Sequence, residues 1–170
     1  TSVFPNLPVL DNIRTAYHRE GRERLLDVLF HTPRKQAIER KTLERALEVL
    51  NFVGLSDKKA TTASNLPYGE QRVLEIAIAL AAGPALILLD EPSAGLNDTE
   101  TMIMKNLIGR IREQGISILL VEHDMKLVMG ISDQIVVVNF GRRIAGGTPE
   151  EIRRNPEVIR AYLGEAKPHA

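Results

Sequence analysis

The amino-acid sequence predicts an α/β fold, a parallel sheet whose strands are joined by helical crossovers. Two apolar runs, Leu86-Ile87-Leu88-Leu89 and Ile116-Ser117-Ile118-Leu119-Leu120-Val121, are too short for free-standing helices and read as strands buried on both faces. Between them lies a helical pattern with Ile103, Leu107, Ile108 and Ile111 inward. It is opened by Asn97 as N-cap with Glu100 at capping-box spacing, and closed by Gly115. Strand, helix, strand is the repeating unit of a parallel sheet. The third observation is that both apolar runs end in polar residues, Asp90-Glu91 and Glu122-His123-Asp124. They fall at the carboxyl edge of the strands, where open parallel sheets bind ligands.

Adjacent carboxylates repel, and desolvation disfavours both charges. A magnesium ion and an attacking water remove that conflict: Asp90 holds the metal, often through water, while Glu91 orients or deprotonates the nucleophile. Pro92 stops the strand and Gly95 permits a sharp turn, so stiff backbone holds both acids. The plainer alternative is a strand ending in a solvated acidic turn. His123 reaches the same edge, where it reads as a phosphate-contacting donor or sensor rather than an ordinary surface histidine. Upstream, Asn65-Leu66-Pro67-Tyr68-Gly69-Glu70-Gln71-Arg72 leads into Val73 to Ala82, apolar almost all round and therefore predicted to be buried. An exposed N-terminus of that helix would present unpaired N–H groups and a positive dipole end to a phosphate. An ordinary loop before a buried helix is the equal alternative.

The remaining elements follow in order. Residues 3–13 read as an irregular, proline-bearing loop running into a short helix near Val9. Thr15 to Pro33 holds a basic and apolar cluster with Leu25, Val28 and Leu29 on one face, read as a packed helix in preference to an exposed segment for a partner or a membrane surface. Arg34 to Val53 is a long helix striped by Leu43, Leu47 and Leu50, with Gly54 in the place of a left-handed cap. Asn139-Phe140-Gly141-Arg142 between Gln134–Val138 and Arg143–Ala145 is a hairpin signal. Thr148-Pro149-Glu150-Glu151 combines an N-cap, a first-turn proline and an acidic third position. Asn155-Pro156 starts a second short helix through Tyr162.

Composition bounds the function. Lysine plus arginine and aspartate plus glutamate both number 22, so no basic field points to nucleic acid. Cysteine is absent, which excludes disulfides and thiolate metal sites, and no apolar run approaches the ~20 residues of a membrane-spanning helix. The first residues, Thr1 to Pro5, contain neither a start methionine nor a leader pattern, so the expectation is a piece of a longer chain.

Taken together, these segments resemble the later two-thirds of an ATP-binding-cassette (ABC) transporter ATPase. Leu86 to Glu91 looks like the Walker B strand, which implies Asp90 for magnesium and Glu91 as the catalytic carboxylate. Ser93-Ala94-Gly95-Leu96-Asn97 looks like the D-loop and His123 like the catalytic switch histidine. Leu66-Pro67-Tyr68-Gly69-Glu70 occupies the place of the signature Leu-Ser-Gly-Gly-Gln. The resemblance therefore implies nucleotide-binding roles for Pro67, Tyr68, Gly69, Glu70, Ser93 and Asn97. The long helical insert, the Leu-Pro-Tyr-Gly-Glu variant and the stretch from Asn155 to Glu165 resemble the ATPases of branched-chain amino-acid importers. Pro67 stands where the family has a phosphate-contacting serine, so only backbone N–H groups and the helix dipole remain there. Asn97 replaces the usual aspartate. No Gly-x-x-x-x-Gly-Lys-Ser/Thr loop occurs in these residues, and the Q-loop glutamine would lie upstream of Thr1.

The fold the resemblance implies is a P-loop-type ABC ATPase with a parallel sheet core, a helical subdomain, and a C-terminal hairpin with short helices. It divides the chain into residues 1–64 (Q-loop exit and helical subdomain), 65–147 (signature helix and the sheet core) and 148–170 (helical tail). The implied function is ATP hydrolysis, with ATP and magnesium, energising uptake of branched-chain or related amino acids; this chain alone is expected to be inactive. The implied partners are membrane subunits, met through the helical subdomain on the cytoplasmic membrane face, and a second ATPase subunit arranged head to tail. Two other readings are a non-catalytic module docking on a membrane protein or partner cassette, and a DNA-maintenance ATPase. The latter calls for heptads or basic patches that are not apparent.

Overall fold

A computed structural model of the protein describes residues 3–19 and 33–163. These form two compact units, residues 1–121 and 122–170, with a boundary inside the predicted 65–147 segment.

The first unit begins with helix α1 (Val9–Thr15). The segment before it is laced to residues 59–64: the Val9 N–H donates to Thr61 O at 2.9 Å and the Ala63 N–H to Leu7 O at 3.0 Å. Asn12 anchors this entry. It is fully buried, its Oδ1 accepts the Phe4 N–H at 2.7 Å, and its Nδ2 donates to the carbonyls of Phe4, Leu7 and Pro8. Each buried partner satisfies backbone that would otherwise be left without one.

Helix α2 (Pro33–Val53) is the predicted long helix. Gly54 takes φ +82° and the Leu55 N–H donates to Leu50 O at 2.9 Å, which closes α2 with the expected left-handed cap. The leucine stripe needs correction. Ala46, Leu50 and Val53 are buried, whereas Leu43 and Leu47 line an open groove with Pro8, Leu10 and Ala60. The amphipathic cluster read around Leu25 to Leu29 lies outside the described residues.

Helix α3 (Tyr68–Ala81) buries Val73, Leu74, Ile76, Ala77, Ile78 and Ala81, as an all-round apolar helix should. Strand β1 (Leu86–Asp90) pairs in parallel with β2 (Ser117–Val121), with Asp90 opposite Val121. Helix α4 (Asp98–Glu113) provides the crossover, and the capping box between Asn97 and Glu100 is present in both directions. Met104, not Ile103, joins Leu107, Ile108 and Ile111 in the buried face; Ile103 is exposed.

Both strands were predicted to be buried on two faces, and neither is. In β1 only Ile87 and Leu89 are buried, while Leu86 and Leu88 (69% exposed) lie on the open face. Leu119 and Val121 are likewise exposed on β2. Among the described residues of the first unit, that second face of the two-stranded β1–β2 sheet stays largely open.

The second unit has helix α5 (Met125–Ile131), the antiparallel pair β3 (Ile135–Asn139) and β4 (Arg142–Gly147), helix α6 (Pro149–Arg154) and the short α7 (Pro156–Val158). Phe140 and Gly141 both have positive φ, +45° and +75°, the conformation a two-residue hairpin turn requires. Ile135, Val137, Ala145, Ile152 and Val158 form the core. Thr148 and Glu151 make the predicted capping box, and Asn155 caps α7 through Oδ1. The predicted helix through Tyr162 is α-helical only to Val158 and continues as a wider π turn over Ile159–Leu163.

Candidate functional site

The site is built where β1 runs out. Asp90 is the last residue of the strand and Glu91 the first beyond it; both are exposed at its carboxyl end. Glu91 has φ +45°, a conformation rare for a residue with a Cβ and worth roughly 1–3 kcal/mol of strain. The surrounding hydrogen bonds enforce it. The Glu91 N–H donates to Val121 O at 2.9 Å, extending the β1–β2 ladder by one bond, and the Glu91 carbonyl accepts the Ala94 N–H at 3.1 Å. Pro92 is buried beneath the turn. Gly95, at φ +77°, turns the chain again, and Leu96 N–H to Ser93 O at 3.1 Å closes the loop ahead of the Asn97 cap.

The segment predicted to bind phosphate meets this turn. Leu66 is buried, and Pro67 stands as the N-cap of α3 with no side-chain cap bond, so no side chain competes for the first N–H groups of the helix. One edge of the Tyr68 ring abuts Gly95: a Cβ placed there would lie 3.1 Å from Tyr68 Cε1. The Arg72 guanidinium lies over the same ring at 5.2 Å, and its Nε donates to the Tyr68 hydroxyl at 2.9 Å. Arg72 also pairs with Glu75 at 3.1 Å; the Glu75 hydrogen bond raises the arginine's pKa above its ordinary value, with the Tyr68 hydroxyl adding to it against partial burial. Gly69 is buried against Glu100, whose Oε1 would lie 2.7 Å from a Cβ at Gly69. Glu70 faces Lys58 at 3.6 Å, and its Oε2 is buried without a hydrogen-bond partner.

Tyr68, Gly69, Gly95, Asn97 and Glu100 are thus brought together beside the acidic turn. His123 is placed differently. It follows the end of β2 in sequence but belongs to the second unit. Its ring is 70% exposed, Nδ1 is 3.9 Å from the buried carboxylate of Glu122, and the His123 N–H donates to that carboxylate at 3.0 Å.

The donor set decides what metal could bind. Among the described residues no group of three or more histidine, cysteine or acidic side chains converges as a metal cage. An exposed carboxylate such as Asp90, with Glu91 next to it, would suit magnesium, which keeps most of its waters and takes one or two carboxylates beside substrate phosphates.

The pattern of the family described as ABC transporter matches residues 1–94. The chain belongs to the ABC transporter family. A second pattern, described as branched-chain amino acid ATP-binding cassette transporter, matches residues 142–168. The chain is 48% identical over 165 residues to the high-affinity branched-chain amino acid transport ATP-binding protein LivG of Escherichia coli, covering 96% of this chain. It is 47% identical over the same length to BraF of Pseudomonas aeruginosa, a protein of the same description. It spans 65% of the length of these curated relatives. Among solved structures, an ATP-binding cassette of an ABC transporter in its ADP conformation superposes with a TM-score of 0.75 at 28% identity, over 95% of this chain and 64% of that one. The fold is that of an ABC ATPase cassette. None of these relatives is described as a non-catalytic docking module.

Two features of the site had no signal in the sequence. The strain at Glu91 comes from pairing across strands, and the Tyr68–Gly95 contact joins segments distant in the chain. Gly69 carried only a weak signal, a residue without a side chain in the first turn of the helix.

Proposed function

We propose that this chain forms part of the ATP-hydrolysing subunit of a transporter that imports branched-chain or related amino acids. The observation that carries the reading is the strained Glu91, pinned by backbone on both sides at the end of a parallel strand. Strain of that kind persists where the surroundings over-determine a functional geometry. The descriptions of LivG and BraF support the substrate class.

On this reading, Glu91 aligns the attacking water against the terminal phosphate, and the rigid turn keeps that carboxylate from relaxing away. Most of the rate then comes from positioning and electrostatics. Asp90 would hold magnesium, which when bound neutralises phosphate charge. The N–H groups at Tyr68, Gly69 and Glu70 would face the phosphates of an ATP held by a second ATPase subunit arranged head to tail, with Ser93 and Asn97 completing that contact. With Pro67 at the cap, this is a backbone and dipole site. His123 would contact the terminal phosphate. The subunit would bind its membrane partners through the helical region of α1 and α2, where the open apolar groove offers a surface, and so work at the cytoplasmic membrane face.

Transport assays test the reading. The full-length protein, assembled with its membrane subunits in liposomes, should drive uptake of leucine, isoleucine or valine only with ATP and magnesium, and lose it on chelation. ATP-independent uptake, or ATP-driven uptake of a chemically unrelated solute with none of these three, would overturn it.

A further inference from the structure

Tyr68 occupies a position where the family signature has glycine, and it brings a ring into a place where the general pattern has none. That ring does not hang free. Its Cδ1–Cε1–Cζ edge fills the space beside Gly95, and Arg72 holds it from another side by stacking and by the hydrogen bond to the hydroxyl. Arg72 is in turn fixed by Glu75 one turn further along α3. Gly95 cannot carry a side chain at φ +77° without strain, and a Cβ there would press on the ring. Directly alongside, Gly69 packs on Glu100, whose other oxygen accepts the Asn97 N–H at 3.0 Å. Two adjacent residues at the start of α3 therefore pack against the far end of the loop that begins at Glu91, at Gly95 and at Glu100.

We propose that Tyr68 is a positioning residue that couples the start of α3 to the Glu91 turn, so that nucleotide contact at one sets the carboxylate geometry at the other. The inference rests on the ATPase reading given above. Its physical content is that the Gly95 backbone, four residues beyond Glu91, packs against a half-exposed ring that Arg72 of the same helix holds in place. Removing the ring frees the loop, and a catalytic group misplaced by about an ångström can cost on the order of a hundredfold in rate. Ground-state binding through the backbone N–H groups of α3 does not need the ring, so affinity for ATP should change little.

The test uses the full-length protein in its transporter, comparing steady-state ATPase kinetics and fluorescent-nucleotide binding. Tyr68→Ala should lower kcat by at least about tenfold while KM and nucleotide affinity stay within about threefold, a split that mere loss of fold would not give. Tyr68→Phe keeps the ring edge and should restore at least about half of the activity. Gly95→Ala gives an independent handle. Because its methyl meets the Tyr68 ring, Tyr68→Ala and Gly95→Ala together should lose less than the product of their separate losses. The proposal is overturned if Tyr68→Ala turns over within twofold of wild type, if Tyr68→Phe is as poor as Tyr68→Ala, or if the two losses simply multiply. Should Tyr68→Ala not fold, the Phe variant and the binding-to-turnover split in Gly95→Ala still decide it. A wild-type protein that hydrolyses no ATP overturns the function reading and the coupling together. Normal wild-type turnover abolished by Glu91→Gln, with Tyr68→Ala unaffected, overturns the coupling alone.

Discussion

Glu91 holds φ +45° although it carries a Cβ, and Val121 and Ala94 hold it there through backbone hydrogen bonds. Replacement with glycine should relieve that strain, whereas alanine keeps it. Glu91→Gly should therefore be more stable than Glu91→Ala by about 1 kcal/mol, the reverse of their order in ordinary strand or helix positions. Urea unfolding midpoints of the two variants check this, and an alanine variant as stable as the glycine one would show the turn to be unstrained. His123 makes a contrasting case. Its ring is exposed, so His123→Ala should leave the melting temperature within a few degrees while slowing hydrolysis in the full-length protein. A large fall in melting temperature with unchanged turnover would make it a structural residue. The acidic pair was legible because a run of apolar residues ending in carboxylates is a chemical anomaly. The buried Asn12 was not legible, because its four backbone partnerships exist only once residues 4–8 have folded back around it.

Elements whose start and stop depend on local chemistry were the easiest to read from sequence. Asn97 with Glu100, Thr148 with Glu151, Gly54 and the Phe140-Gly141 turn all do what their side chains or missing side chains dictate. Which face an element buries was harder to read. Ile103 and Met104 are neighbours of similar hydrophobicity, and only the packing around α4 selects Met104. Leu43 and Leu47 satisfy a helical stripe yet border an open groove, since periodicity reports a face and not what covers it. At this scale Asn97→Ala should destabilise the protein by about 1 kcal/mol through loss of the α4 cap, while Asn97→Asp should be nearly neutral. Chemical denaturation measures both. An alanine variant of wild-type stability would mean that the cap is replaced by water at no cost.

Over the whole molecule, the open face of β1 and β2 departs from burial on both sides, in a chain that spans 65% of the length of its curated relatives. Leu86, Leu88, Leu119 and Val121 lie on it together, and each such side chain gains roughly 1.5–3 kcal/mol on full burial. That sum is comparable with the ~5–15 kcal/mol stability of a whole domain. The 170-residue chain produced alone should therefore associate and scatter light, bind ATP weakly and hydrolyse none, and Leu88→Glu should reduce the association. Tight magnesium-dependent ATP binding by a monodisperse monomer of this chain would contradict the account. Whether the turn after β1 holds the carboxylate that activates water is tested by Glu91→Gln in the full-length protein. The substitution preserves shape and leaves Asp90 in place, so ATP should still bind with near wild-type affinity and the ATP-bound pair of subunits should accumulate on size-exclusion chromatography. Turnover should fall by at least about a hundredfold. Near-normal hydrolysis by that variant would mean that Glu91 is not the catalytic carboxylate.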